Sequence, residues 1–213
     1  MNSPDWTAEF ARVISCERCD KRRSNNILRD ARENVPQPGF IGSRYEKFRI
    51  LLVGQNPAVP PSRLAADDQE YTAALRRVRD DATAESMGSL QEVLLRFVPS
   101  WPVHGNYFPL YESGLTLEEI AYCNIIRCRT VENARPSSGL ASTCIDTHFG
   151  RWLDLLTPRA IVFIGKWAHD RGEAAARNRS IPVTFMNRER SLSSAARAEN
   201  RDQVAEFVRS IVE

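Results

Sequence analysis

The sequence predicts an α/β fold, a three-layer α/β/α sandwich around a four-stranded, mostly parallel sheet. The first observation is a set of short apolar runs with the length and composition of buried strands, at residues 49–53, 121–126, 160–164 and 183–185. The second is that segments with apolar residues at helical spacing separate these runs, as crossover helices do in a parallel sheet. The third is the length of 213 residues, from which we expect a single domain over residues 1–213.

Composition is that of a globular protein with little net charge. The formal net charge is +2, and only three of the 29 basic residues are lysine. The excess of arginine suits phosphate binding through the planar guanidinium group, although a GC-rich genome would produce the same bias. Because the sequence has no apolar run of 18 residues and no signal-like start, we expect a cytoplasmic protein with no membrane partner. We also expect a monomer.

The N-terminal segment predicts a short helix followed by a pair of cysteines. Apolar residues recur at helical spacing over residues 6–15, and Cys16 and Cys19 follow as a C-x2-C motif. A second pair, Cys128 and Cys144, encloses fifteen residues of loop-like sequence. In a chain without export signals, cysteines indicate metal or redox chemistry more than disulfides, and two separated pairs can meet around one metal centre.

The first predicted strand, residues 49–53, leads into a candidate site. Gly54 closes the strand, and Gln55, Asn56 and a proline follow in the loop. Ligands of open α/β sheets bind at the carboxyl ends of the strands, and a glycine lets the backbone approach a ligand closely. We therefore expect Gln55 and Asn56 to face a site; the alternative is an ordinary turn that ends a strand.

The remaining segments are mostly helical. Between residues 60 and 109 apolar positions recur at helical spacing, with a first helix beginning near residues 67–70 and an aromatic loop over residues 100–109. A helix over residues 167–177 follows the third strand, and a final helix covers residues 200–212 with its apolar residues on one face.

Asn124 is the polar exception in the second apolar run, residues 121–126. A buried carboxamide needs partners for its oxygen and its amide group, and leaving one unsatisfied costs about 1–3 kcal/mol. Either the fold or a ligand must therefore satisfy Asn124. Its neighbour Cys123 is interpreted as a small buried hydrophobic residue.

Taken together, these motifs resemble those of the uracil-DNA glycosylase superfamily, and most closely its iron–sulfur branch, family 4. The order and spacing match over nearly the whole chain: Cys16-x2-Cys19, Gly54-Gln-Asn-Pro57, Asn124-Ile-Ile-Arg-Cys128, and Cys144 after fifteen further residues. The resemblance implies that the four cysteines hold a [4Fe–4S] cluster, which requires tetrathiolate ligation. A tetrahedral zinc site is the chemical alternative, because four thiolates suit zinc as well.

The chain departs from that branch at both catalytic motifs. The branch commonly has Gly-Glu-x-Pro-Gly at the first motif, whereas Gln55 resembles family 1 and Asn56 resembles the mismatch-specific and single-strand-selective families. The second motif usually has a histidine followed by a proline, but this chain has Asn187 followed by Arg188. An asparagine at the histidine position resembles the mismatch-specific family.

The resemblance implies a monofunctional hydrolase that flips uracil out of DNA, cleaves its N-glycosidic bond and leaves an abasic site. Asn124 would read the uracil edge, in a base-binding pocket that includes Gly54 and Gln55. Asn187 and main-chain N–H groups around Gln55 would stabilise negative charge on uracil O2. Asn56 would position the attacking water. Because an amide is no general base and the second-motif histidine is absent, we expect modest activity.

Further contacts with DNA follow from the same resemblance. Tyr71 is the first candidate for an aromatic ring that stacks on the base, and Phe108 is the second. Leu192 would wedge into the space left by the flipped base, while Arg188 and Arg190 would contact phosphates. The alternative is a solvated arginine loop in which Leu192 covers the core.

Two other functions stay open at this point. The same pocket would suit excision of hypoxanthine, xanthine or another deaminated base. Alternatively, the chain would be a catalytically weak protein that binds uracil-DNA and keeps the cluster and the pocket without turnover. In each case the expected partner is DNA that contains uracil or another deaminated base.

Overall fold

The computed structural model describes residues 6–19, 26–28, 34–97, 109–110, 112–188 and 192–213. The chain divides into two compact units. The sheet unit comprises Gly39–Gln55, Val98–Ile125 and Phe149–Glu213, and the helical unit comprises Met1–Pro38, Asn56–Phe97 and Ile126–His148. The single domain over residues 1–213 stays a prediction.

The described part of the sheet unit contains a five-stranded mixed sheet. Its strands are β1 (Phe40–Ile41), β2 (Ile50–Gly54), β3 (Ile120–Asn124), β4 (Ala160–Ile164) and β5 (Val183–Met186). They lie in the order β1-β3-β2-β4-β5, in which β1 is antiparallel to β3 and every other pair of neighbours is parallel. The carboxyl ends of β2, β3, β4 and β5 therefore meet at one edge of the sheet.

The α-helices of the described residues belong to both units. In chain order they are α1 (Trp6–Ile14), α2 (Tyr45–Phe48), α3 (Ala65–Asp80), α4 (Ala84–Phe97), α5 (Ser138–Cys144), α6 (Gly150–Leu156), α7 (Lys166–Arg177) and α8 (Ser194–Val212). The sheet unit contains α2, α6, α7 and α8, and the helical unit contains the others. None of the helices in the described ranges is long and apolar enough to cross a membrane.

Helices cover both faces of the sheet. On one face α8 packs onto alternate residues of the strands, in a core that includes Ile50, Leu52, Val162, Val204 and Val208. On the other face α7 approaches so closely that a Cβ at Gly172 would lie 2.8 Å from Cζ of Phe163. Strands buried on both faces explain the near-continuous apolar runs in the sequence. The predicted α/β fold, a three-layer sandwich around a mostly parallel sheet, is confirmed.

The structure corrects three details of the prediction. The sheet in the described residues has five strands instead of four. The additional strand, β1, was not predicted because its two residues carry no periodic pattern. The loop-like sequence of residues 128–144 ends in α5, whose N-cap Ser137 accepts a hydrogen bond from Leu140 N at 3.3 Å. The final helix begins at Ser194, six residues before the predicted start. Residues 100–108 of the predicted aromatic loop lie outside the described residues.

Candidate functional site

The carboxyl ends of β2 and β3 bring Gly54 and Asn124 side by side. The two residues are register partners in the parallel pair, and Ile125 N donates to Gly54 O at 2.9 Å just beyond them. Gln55 follows at the end of β2 and is half-buried. Gly54 and Asn124, which the motifs assign to a base-binding pocket, therefore lie next to each other in the sheet unit.

Among the described residues, only the oxygen of the Asn124 side-chain amide has a hydrogen-bond partner. Its side chain is almost completely buried, and its Oδ1 accepts a hydrogen bond from Tyr122 Oη at 2.9 Å. No group among the described residues accepts a hydrogen bond from Asn124 Nδ2. A carboxamide offers two N–H donors and two acceptor lone pairs. Asn124 therefore keeps its NH2 group and one lone pair of Oδ1 available to a ligand.

Gly54 is required by the side chains that face it. A Cβ at position 54 would collide with Asn124 Oδ1 and would lie 2.7 Å from Tyr122 Oη. The backbone of Gly54 is ordinary strand, so the requirement is the space and not an unusual φ angle. The glycine of the first motif therefore makes room for the amide of the next strand.

Asn187 follows β5 and is held through its backbone. Asn200 of α8 accepts a hydrogen bond from Asn187 N at 2.7 Å through Oδ1 and donates one from Nδ2 to Phe185 O at 3.4 Å. The two bonds satisfy backbone groups at the end of an edge strand, as a further strand would. Asn200 thus determines where the second-motif loop leaves the sheet.

The rest of the second-motif loop is partly described. Arg188 is exposed, and its side-chain carbons Cβ, Cγ and Cδ lie 3.5–3.9 Å from the position that a Cβ at Gly165 would take. Leu192 is half-buried and directly precedes Ser193, the N-cap of α8. Arg190 lies outside the described residues.

Asn56 belongs to the helical unit, where its amide group is bound internally. Asn56 Nδ2 donates to Pro57 O at 3.0 Å and to Thr130 Oγ1 at 3.2 Å, and the Thr130 hydroxyl in turn donates to Ala134 O at 2.6 Å. Thr130 is fully buried. The amide orientation of Asn56 is therefore set by a threonine two residues after Cys128.

Tyr71 lies inside the helical unit. Its side chain is buried on α3, and its ring centroid is 6.3 Å from that of Phe97 on α4 at a tilted angle. This is an ordinary packing geometry for two aromatic rings between helices. The stacking role of Tyr71 stays a prediction, while Phe108 lies outside the described residues.

The four motif cysteines all lie in the helical unit. Cys16 and Cys19 follow α1, Cys128 follows the β3 region and Cys144 ends α5. Hydrogen bonds between backbones tie the neighbouring segments together: Leu28 N donates to Arg129 O at 2.9 Å, and Val131 N donates to Asn26 O at 3.0 Å. The fold thus fixes the Cys128 segment against the chain that follows the first cysteine pair.

The thiols of these cysteines are close to one another. The pKa of Cys144 is held well above its usual range, first by a hydrogen bond with the Cys19 thiol, then by burial and by the nearby Cys128. Burial raises the pKa of Cys16, and Cys19 adds to the rise. Within the described residues, however, no three His, Cys, Asp or Glu side chains form a group that could hold a metal ion as they stand. The donor set has the chemistry of a tetrathiolate site.

The sequence interpretation missed three residues that hold the motif residues in place. Tyr122 and Thr130 bond the side-chain amides of Asn124 and Asn56, and Asn200 bonds the backbone of Asn187. A signal for Tyr122 was present, because residues two apart on a strand share a face. Thr130 and Asn200 contact Asn56 and Asn187 only through the tertiary fold, so no local pattern marks them.

The resemblance to uracil-DNA glycosylases rests on the motif residues of the sequence. The sequence matches no model of a protein family and no curated protein. The chemistry of the site must therefore support a function by itself.

Proposed function

We propose that this protein is a DNA glycosylase of the uracil-DNA glycosylase superfamily, which hydrolyses the N-glycosidic bond of uracil in DNA. The observation that carries the proposal is the buried Asn124 amide at the sheet edge, which keeps a donor and an acceptor available to a ligand. Asn124 Nδ2 is not one of the enclosed polar atoms that lack a partner in the described part of the chain, so it reaches solvent at the sheet edge. A polar ligand could replace the water there and bind this donor.

The Asn124 amide fits the edge of uracil. Nδ2 would donate to the O4 carbonyl, and the second lone pair of Oδ1 would accept from N3–H. Cytosine has an amino group in place of O4 and an unprotonated nitrogen in place of N3–H. Asn124 Nδ2 would then face a second donor, and Oδ1 would face a second acceptor. A site built on hydrogen bonds rejects such a base strongly because its own buried groups are left unpaired.

The second-motif asparagine would act on the opposite side of the base. In the order β3-β2-β4-β5, the strands of Asn124 and Asn187 are three steps apart, or about 14 Å at the usual strand spacing. Two amide side chains and a flat base would occupy a span of this size. Asn187 would donate to uracil O2, where negative charge develops as the bond breaks.

The reaction needs only water and the flipped nucleotide. The bond between C1′ and the base nitrogen breaks, its electron pair leaves with uracil, and the water oxygen bonds to C1′. The proton released by the water finally neutralises the uracil anion. Asn56 would orient this water, and Thr130 would hold the Asn56 amide so that its nitrogen stays engaged.

Arg188 and Leu192 would meet the DNA. Arg188 is exposed and continues the loop from Asn187, where a cation would pair with phosphate. Leu192 would enter the stack behind the flipped nucleotide, and we assign Arg190 to phosphate contact as well.

Cys16, Cys19, Cys128 and Cys144 would hold the iron–sulfur cluster, since four thiols in three segments of one unit match the donors that such a cluster requires. When bound, the cluster would cross-link these segments and would take no part in hydrolysis. Since buried thiols must lose their protons to bind a metal, binding would release protons.

The proposal is tested with purified protein on single- and double-stranded oligonucleotides that contain one uracil, followed by alkali cleavage at abasic sites. Wild type should cut at uracil and leave matched cytosine strands intact. Asn124→Asp should excise uracil about 100-fold more slowly, because a buried carboxylate would face O4. Asn178→Asp, the same change at the exposed end of α7, should keep the wild-type rate.

Other outcomes have a definite meaning. Cleavage at hypoxanthine or xanthine but not at uracil would move the substrate to another deaminated base with the same carbonyl and N–H edge. Tight binding of uracil-DNA with no abasic product would replace the enzyme by a binding protein. Equal excision of uracil by wild type and Asn124→Asp would place recognition elsewhere.

A further inference from the structure

Tyr122 lies two residues before Asn124 on β3, and both side chains point to the same face of the sheet. Its phenolic Oη is 2.9 Å from Asn124 Oδ1 and would be 2.7 Å from a Cβ at Gly54. The hydroxyl, the amide oxygen and the glycine therefore share one small space at the carboxyl edge. The sequence motifs assign no role to Tyr122.

The contact decides which end of the Asn124 amide faces a ligand. A carboxamide can turn by 180° and exchange its oxygen for its nitrogen, and each orientation reads the opposite hydrogen-bond pattern. A phenol is a better donor than acceptor, because its ring withdraws electron density from the oxygen. Tyr122 therefore favours the orientation with Oδ1 against its hydroxyl and with Nδ2 available, as observed.

The orientation has a direct consequence for the choice of base. With Nδ2 presented, Asn124 fits bases in which a carbonyl lies beside a ring N–H. Deamination creates this edge: it converts the amino edge of cytosine into that of uracil, and the amino edge of adenine into that of hypoxanthine. An amide turned the other way would fit cytosine and adenine instead.

We propose that Tyr122 is a specificity-determining residue, whose hydroxyl locks the Asn124 amide so that the site accepts bases with a carbonyl beside a ring N–H, such as uracil and hypoxanthine, and rejects cytosine and adenine. This inference rests on the proposed function, in which Asn124 reads the base. It adds a residue that does not contact the base and acts through Asn124.

Tyr122→Phe is the test, since it removes the hydroxyl and leaves the ring. The measurement is equilibrium binding to oligonucleotides with a 2′-fluorinated deoxyuridine or 2′-fluorinated deoxycytidine, which resist hydrolysis. The uracil-over-cytosine binding ratio should fall about three- to tenfold, as expected for one neutral hydrogen bond. Tyr45→Phe is the matched control, because Tyr45 is also buried and its hydroxyl donates to Leu156 O at 3.2 Å. It should leave the ratio unchanged.

A double variant separates the lock from a general structural effect. In an Asn124→Ala background the Tyr122 hydroxyl has no amide to hold, so Tyr122→Phe should not change the ratio further. An equal fall in both backgrounds would overturn the inference, as would an unchanged ratio in Tyr122→Phe alone. Wild type with no preference for uracil-DNA and no excision would instead overturn the proposed function.

A readout without DNA keeps the two failures distinct. The two side-chain N–H signals of Asn124, assigned by their loss in Asn124→Ala, should shift in nuclear magnetic resonance spectra of Tyr122→Phe but not of Tyr45→Phe. Unshifted signals in Tyr122→Phe would show that the hydroxyl does not hold the amide, whatever the activity of the protein.

Discussion

Gly54 is the residue whose side chain, a single hydrogen, matters most to the candidate site. A methyl group there would collide with Asn124 Oδ1 and approach Tyr122 Oη to 2.7 Å. The obstacles are the ends of two side chains and not backbone, so the expected response is a displaced amide and not an unfolded strand.

Gly54→Ala should therefore lower affinity for uracil-DNA more than it lowers stability. We expect about a tenfold loss of binding, because the contact between Asn124 and the base edge would be misplaced. Gly88→Ala is the matched control: apart from its chain neighbours and its own helix backbone, no atom of the described residues lies within 4 Å of its added Cβ. The change should stabilise α4 slightly because alanine favours a helix. Binding titrations and thermal unfolding of both variants check the prediction. Wild-type affinity in Gly54→Ala would contradict the placement of the base beside Asn124.

At the scale of elements, β5 and α8 together define the second-motif loop. β5 is an edge strand, and the Asn200 amide from α8 satisfies the backbone of Phe185 and Asn187. The loop thus has a fixed start although no proline follows Asn187. Its position depends on a side chain thirteen residues further along the chain.

Asn187→Ala should slow uracil excision about 100- to 1,000-fold, the usual cost of removing one donor that stabilises developing negative charge. Asn200→Ala should slow it as well, through misplacement of Asn187, while binding of uracil-DNA changes less. Gln203→Ala, an exposed change on the same helix, is the control and should keep the wild-type rate. Single-turnover rates and binding titrations separate the effects. A wild-type rate in Asn187→Ala would remove this residue from the mechanism.

These elements also mark how far sequence reasoning reaches. The strands β2 to β4 were predictable because both faces are buried, which gives nearly continuous apolar runs. The sequence could predict that Gly54 and Asn124 lie at the same edge of the sheet, because each follows a strand of a parallel sheet. It could not predict that they are direct neighbours. The two residues of β1 carry no pattern, and the serine- and glycine-rich start of α5 hides a helix that its cap and buried side chains stabilise. The partners of Asn56 and Asn187 depend on tertiary contacts between distant segments.

At the scale of the whole molecule, the four motif cysteines come from positions 16 to 144 of the chain and meet in one unit. Only the fold brings Cys19, Cys128 and Cys144 together, and Cys144 shares a hydrogen bond with Cys19. A cross-link between such distant residues removes much of the conformational freedom of the unfolded chain. A cluster at this place would therefore contribute to stability more than to chemistry.

Protein purified without oxygen should be brown and contain about four irons per chain, as expected for a [4Fe–4S] cluster. Cys144→Ala should lose most of the iron and unfold at a lower temperature, because three thiolates hold the cluster poorly and the segments are no longer joined. Cys123→Ala is the matched control, since Cys123 is also a buried cysteine but belongs to β3 of the sheet unit. Its iron content should equal that of wild type. Iron analysis, visible absorption and thermal unfolding check the prediction. A colourless protein with one tightly bound zinc would replace the cluster by a zinc site, and full iron content in Cys144→Ala would remove that residue from the ligands.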